Sequence, residues 1–79
     1  MKPDQLAQEA ARLQEDEFLQ STLDHIRANA LEDLSKADAD DKTMILRLQQ
    51  KVAAVQEIRD VLHRYIMAAD VQDEPGSFA

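Results

Sequence analysis

The sequence predicts an all-α fold, an antiparallel helical hairpin preceded by a short N-terminal helix, from three observations. Residues 40–70 hold no Gly or Pro and repeat apolar side chains every three or four positions, the spacing of one helix face. A second segment with the same period, residues 17–36, precedes them, and the joint between the two is short enough to force an antiparallel return. Residues 1–40 have a net charge of −6 and residues 41–70 of +1, which suits two elements that fold against each other.

The first two helices are expected at about residues 4–14 and 17–36. If both belonged to one straight helix, their apolar stripes would point in directions about 160° apart and would need two opposite partners. We therefore predict a break at Glu15–Asp16, where Asp16 is suited to cap the second helix. One bent helix over residues 4–36 is the alternative that the pattern leaves open.

The third helix is expected at about residues 40–70, and the Asp-rich joint before it offers N-cap oxygens. Residues 1–70 would then form one helical domain. Residues 71–79 lose the apolar periodicity, contain Pro75-Gly76 and are expected to be a flexible tail. Phe78 is a candidate anchor for a partner in that tail, and disorder of the whole tail is the alternative.

The third helix is predicted to carry more apolar surface than its own chain covers. It would be about 45 Å long against about 30 Å for the second helix. Toward its end, apolar residues occupy more than half of the circumference, an arc that needs two neighbours. We therefore expect a homodimer in which two hairpins form a four-helix-type bundle and the first helices close its ends. The expected interface residues are Val55, Ile58, Val61, Leu62, Tyr65 and Ile66.

Arg59 occupies a position on the apolar seam of the third helix, between Val52 and Ile66. We expect its aliphatic stem to pack along the core while its guanidinium forms an ion pair with Asp16 or Glu17 at the start of the second helix. The second interpretation is that a polar residue here sets the register and partner choice of a bundle. The two interpretations are compatible.

The sequence predicts no catalytic, metal or cofactor site. The segment from Asp38 resembles the start of a calcium loop, but Thr43 stands where that loop needs Gly. Asp60 and His63 have the spacing that diiron bundles use, yet a second such motif is missing. The absence of Cys excludes a thiolate metal site and Cys catalysis. We therefore expect a protein that is not an enzyme and takes no cofactor.

The charge and hydropathy of the chain also limit its partners. A formal net charge of −7 argues against nucleic acid, because binding to phosphate draws its affinity from Lys and Arg. No apolar run approaches the roughly 20 residues that span a bilayer, and the start lacks the apolar core of a signal peptide. We therefore expect no membrane partner and a cytoplasmic location.

Two groups of residues on either side of the polar joint form a recognisable pattern: Ala11, Arg12, Leu13, Glu15, Asp16 and Phe18 before it, and Arg47, Leu48, Gln49, Lys51, Val52, Ile58, Arg59 and Leu62 after it. This pattern resembles a group of small helical proteins encoded by tailed phages and prophages. Glu17 stands where that group often has Pro. The resemblance implies a virion-associated or assembly-related role, in a bacterial or phage-infected cell or in the virion, and carries over no catalytic residues.

Two functions remain open at this point. The first is a structural or assembly-interaction protein that binds another protein, or a second copy, through a helix face or its tail. The alternative is an acidic helical regulator, like an antitoxin or an inhibitor, that binds a basic protein partner by charge mimicry. The excess of carboxylates in residues 1–40 is the feature that favours the alternative.

Overall fold

The computed structural model describes residues 1–72, which form three α-helices and no strand. They are α1 (Pro3–Gln14), α2 (Glu17–Lys36) and α3 (Lys42–Gln72). The all-α class predicted from the sequence is thus confirmed for this part of the chain. α3 continues two residues past Asp70, so the helix includes positions that we assigned to the tail. The predicted anchor Phe78 lies outside the described residues.

The break between α1 and α2 is built by hydrogen bonds. Asp16 has an extended backbone (φ −74°, ψ 108°), and its carboxylate accepts a hydrogen bond of 2.9 Å from the Leu19 amide, as an N-cap does. Leu13, in the last turn of α1, offers its carbonyl to the Asp16 amide at 3.2 Å and to the Gln20 side chain at 3.2 Å. Residues 4–36 therefore form two capped helices and not one bent helix.

The joint between α2 and α3 is folded by its own aspartates. The Asp38 carboxylate accepts a hydrogen bond of 2.9 Å from the Asp40 amide, which closes a tight turn. Asp41 then caps α3, because its carboxylate accepts a hydrogen bond of 3.1 Å from the Met44 amide. A joint of this length brings α3 back antiparallel to α2.

α1 and α2 follow each other along one side of α3. α1 packs closely against α3 and barely touches α2, so it continues the path of α2 beyond the break and covers the end of α3. The result is a rod of 59 × 26 × 19 Å with a radius of gyration of 17.4 Å. A compact domain of this length would have a radius of gyration of about 12 Å. The molecule is therefore an extended hairpin with one broken arm.

The core is a single narrow seam. α3 contributes a buried residue at every seventh position, and half-buried residues three or four positions away complete a coiled-coil pattern. The buried residues are Ala10 from α1, Leu23 and Ala30 from α2, and Leu48, Val55, Leu62 and Ala69 from α3. Three of these seven are alanines, whose small side chains let the helix backbones approach but bury little apolar area.

Candidate protein-interaction surface

A second apolar seam lies beside the first on α3 and is open to solvent. Its members are spaced four, three, four and three residues apart, which repeats the pattern of the core seam in the next sector of the helix. Ile58 is 45% exposed and Tyr65 is 41% exposed, and Val61 between them is half-buried. We call this set of residues the second seam: Ala54, Ile58, Val61, Tyr65 and Ala68.

Part of the second seam lines an open apolar depression on the surface of α3. The depression is lined by Ala54, Ile58 and Val61 of the second seam, together with Leu62 at the edge of the core and Glu57. Every lining residue belongs to α3, so neither α1 nor α2 contributes a side chain to it. Within the described residues, this side of α3 therefore remains without a helix packed on it.

The ion pair of Arg59 shows which edge of the hairpin the second seam occupies. At about 100° per residue, Arg59 is turned one way from buried Val55, and Ile58 is turned the other way. Arg59 forms its ion pair with Asp24 of α2, so these two residues lie on one edge of the hairpin and Ile58 lies on the other. In antiparallel helices, residues turned in the same sense from the buried face lie on the same edge. Ile26, 37% exposed, is turned from buried Leu23 as Ile58 is from Val55, and therefore lies on the edge of Ile58.

The partner of Arg59 differs from the one that we predicted. Its guanidinium donates to the Asp24 carboxylate and, at 3.4 Å, to the Gln20 carbonyl, whereas Asp16 caps α2 and Glu17 has no ion pair with it in the described residues. Side chains tilt toward the N-terminus of their own helix, and for α3 that direction is toward the joint. In an antiparallel hairpin, that tilt carries Arg59 toward α2 residues with higher numbers.

The ion pair itself contributes little to stability. The Asp24 side chain is 69% exposed and the Arg59 side chain is 26% exposed, so solvent screens the attraction. Pairs of this kind contribute at most about 1 kcal/mol. The larger role of Arg59 is structural, because its stem fills a seam position while its charge stays at the edge.

The six predicted interface residues divide into two groups. Val55 and Leu62 are 3% and 9% exposed and belong to the core seam within the chain, so they are not available to a partner. Ile66 is half-buried in the same seam. α1 covers the end of α3 within the same chain, whereas Val55 lies in the middle of α3, four residues before the Arg59 that contacts α2. Ile58, Tyr65 and Val61 lie on the second seam.

Ile26 was not among the predicted interface residues, because its spacing assigns it to the apolar stripe of α2. The edge on which Ile26 lies depends on the rotation of α2 about its own axis, and the Arg59–Asp24 ion pair is needed to fix that rotation. Ala54 and Ala68 belong to the wide apolar arc that the sequence predicts toward the end of the third helix, and their four-three spacing relative to Ile58 and Tyr65 defines the second seam.

Several other exposed apolar residues lie away from the second seam. Phe18, 81% exposed, begins α2, and Leu46, 55% exposed, lies on the back of α3. Met67 is 45% exposed and stands nine residues from Ile58, about 180° away around the helix. Met67 therefore lies in the same helix as Ile58 and has the same exposure, but it is on the opposite face.

The carboxylates considered for metal binding have other partners. Asp60 accepts a hydrogen bond of 3.0 Å from the Gln56 side chain. Asp38 and Asp41 fold the joint. Among residues 1–72, no three His, Asp or Glu side chains come together in a group that could hold a metal ion.

Comparison of the chain with models of protein families, with curated proteins and with solved structures finds no match. Among the three helices of residues 1–72, none combines the length and the apolar character needed to cross a membrane.

Proposed function

We propose that this chain is a structural or assembly-interaction protein that works as a homodimer and performs no catalysis. Two hairpins would form a four-helix-type bundle with the second seam of each copy at the interface. The observation that carries the proposal is the exposure of Ile58 and Tyr65 on a stripe with coiled-coil spacing. A stripe of that kind is complementary to another helix with the same spacing.

The thin core supports the need for a second copy. The buried residues form one line between helices, and the radius of gyration of 17.4 Å reflects a shape without a deep interior. Small domains with a thin core can gain further stability from disulfides, a structural metal or oligomerisation. The sequence has no Cys, and the second seam offers the surface that oligomerisation requires.

The available area is adequate for a stable dimer. A long face of the rod measures 59 × 26 Å. That is nearly twice the roughly 800 Å² that each partner buries in an interface of standard size. Partial overlap of the two rods would therefore bury enough surface.

A matched pair of variants on α3 tests this interface. Ile58→Asp and Met67→Asp introduce the same charge at positions of equal exposure, 45%, on opposite sides of the helix. We expect Ile58→Asp to shift the protein to monomer in sedimentation equilibrium, because a carboxylate would be buried without a partner. Met67→Asp should leave the dimer intact. Equal behaviour of the two variants would contradict the proposed interface.

The biological setting follows from the resemblance to the small helical proteins of tailed phages. That likeness favours a role in a virion or in its morphogenesis, where copies of a small protein bind to each other or to another structural protein. The proposed location is accordingly a bacterial or phage-infected cell, or the virion itself.

An acidic regulator that binds a basic protein is the second candidate. The exposed carboxylates of α1 and α2 favour it, because the ion pairs among residues 1–72 engage only Glu9, Asp24 and Glu32. Charge mimicry would make the binding to a basic partner weaken steeply with salt. Self-association through the second seam draws on apolar burial as well as on charge and should weaken much less with salt, so a titration with NaCl distinguishes the two candidates.

A further inference from the structure

We infer that the two copies pair in antiparallel orientation, with the twofold axis crossing α3 between Ile58 and Val61. This inference rests on the homodimer proposed above and adds its geometry. Two independent features of the described residues support this orientation over the parallel one. They are the sizes of the side chains along the second seam and the distribution of charge at its two ends.

In an antiparallel pair, the side chains of the two second seams are complementary in size. An axis between Ile58 and Val61 places Ala54 of one copy opposite Tyr65 of the other, and Ile58 opposite Val61. Each layer then combines a larger and a smaller side chain, which is how interlocking helices fill space. A parallel pair would place Tyr65 against Tyr65 and Ala54 against Ala54. One layer would be crowded, and the other would leave a void.

The charges beside the second seam also favour the antiparallel orientation of the two copies. Residues 42–51 of α3 contain Lys42, Arg47 and Lys51 and no carboxylate, and the ion pairs of the described residues include none of these three. At the other end of the rod, residues 3–17 contain five carboxylates and one basic residue, Arg12. Antiparallel pairing brings the basic start of α3 beside the acidic end of its partner.

One carboxylate of α1 is well placed for this contact. Glu9 is turned from buried Ala10 in the same rotational sense as Ile58 is from buried Val55, so it lies on the edge of the second seam. Its side chain is 53% exposed and also pairs with Arg12 of the same helix, at 2.8 Å. A parallel pair would instead bring together the two copies of Arg47 and the two acidic joints, each with Asp38, Asp40 and Asp41. Both contacts are repulsive.

Cross-linking through introduced thiols tests the orientation, because the chain has no Cys of its own. The probes are the variants Ala54→Cys and Tyr65→Cys, one of which has an affinity tag. Each variant is treated with a short bismaleimide by itself, and the two are also treated together after mixing. In an antiparallel dimer the two copies of position 54 are about 16 Å apart along the helix axis, whereas positions 54 and 65 share a layer. Met67→Cys, on the opposite side of α3, measures collisional cross-linking.

We expect the mixture to give the tagged–untagged covalent dimer and Ala54→Cys alone to give no more product than Met67→Cys. Strong self-linking of Ala54→Cys, in protein that light scattering shows to be dimeric, would overturn the antiparallel orientation and leave the proposed function standing. Monomeric mass for the untreated variants and for the parent chain would overturn the proposed function and the orientation together. Light scattering therefore separates the two failures.

Discussion

The substitution Ala30→Asp is expected to lower the free energy of unfolding by at least about 3 kcal/mol, because Ala30 is buried between α2 and α3. Ala30 is 1% exposed and faces α3, where the backbones approach closely. A carboxylate there would be buried in the seam without a hydrogen-bond partner, and its extra atoms would force the helices apart. Urea denaturation followed by circular dichroism, at one fixed protein concentration, measures the loss.

Ala28→Asp is the matched control for this change. Ala28 lies two residues away in the same helix and is exposed, so the same substitution changes helix propensity but buries nothing. Its expected cost is below about 1 kcal/mol. If both variants lost similar stability, α2 would not contact α3 through the face that contains Ala30.

Truncation of Leu48 to Ala is expected to cost about 2–5 kcal/mol of unfolding free energy. Leu48 is 4% exposed and is the first buried member of the α3 core seam. Because the core is one residue deep, few neighbours can move to fill the cavity that the missing methyl groups leave. The same urea titration provides the measurement.

Leu46→Ala controls for the change in residue type and in helix propensity. Leu46 is 55% exposed on the back of the same helix, and its truncation should change the unfolding free energy by no more than about 0.5 kcal/mol. A cost for Leu46→Ala close to that for Leu48→Ala would mean that the back of α3 is covered as well. That result would mean that the partner binds the back of α3 and that the face we propose for the interface is wrong.

The helices and the break between the first two are predictable from local physics. The change in stripe direction between the first two segments rules out one straight helix, and Asp16 supplies the cap that a new helix needs. The Asp-rich joint is predictable for the same reason, because carboxylates at those positions accept hydrogen bonds from the first amides of α3. These are interactions between residues within a few positions of each other.

The neighbours of each helix face are harder to predict. A helical stripe gives the angle at which a residue projects but not which helix it meets, so the pattern alone does not separate the α3 residues that pack against α1 or α2 from those that stay open. As a result, Val55 and Leu62 were expected at an interface and lie in the core. The ion pair of Arg59 was assigned to the wrong carboxylates because spacing along the hairpin ignores the tilt of side chains.

The sector of α3 that contains the second seam is the part of the candidate site that sequence reasoning found. Ile58, Val61 and Tyr65 were identified from the width of the apolar arc, a property of one helix that needs no knowledge of its neighbours. The structure separates this arc into a core seam and a second seam, because α1 and α2 cover one sector and leave the other open. Ile26 could be assigned to that edge only after the Arg59–Asp24 pair had fixed the rotation of α2.

The measurement that tests the central claim most directly is the solution mass of the parent chain by multi-angle light scattering at micromolar concentration. The mass of one chain is 8.9 kDa. A second copy on the second seam predicts twice that value, with dissociation on dilution as mass action requires. A well-folded protein that keeps the mass of a single chain throughout the concentration range would contradict the account.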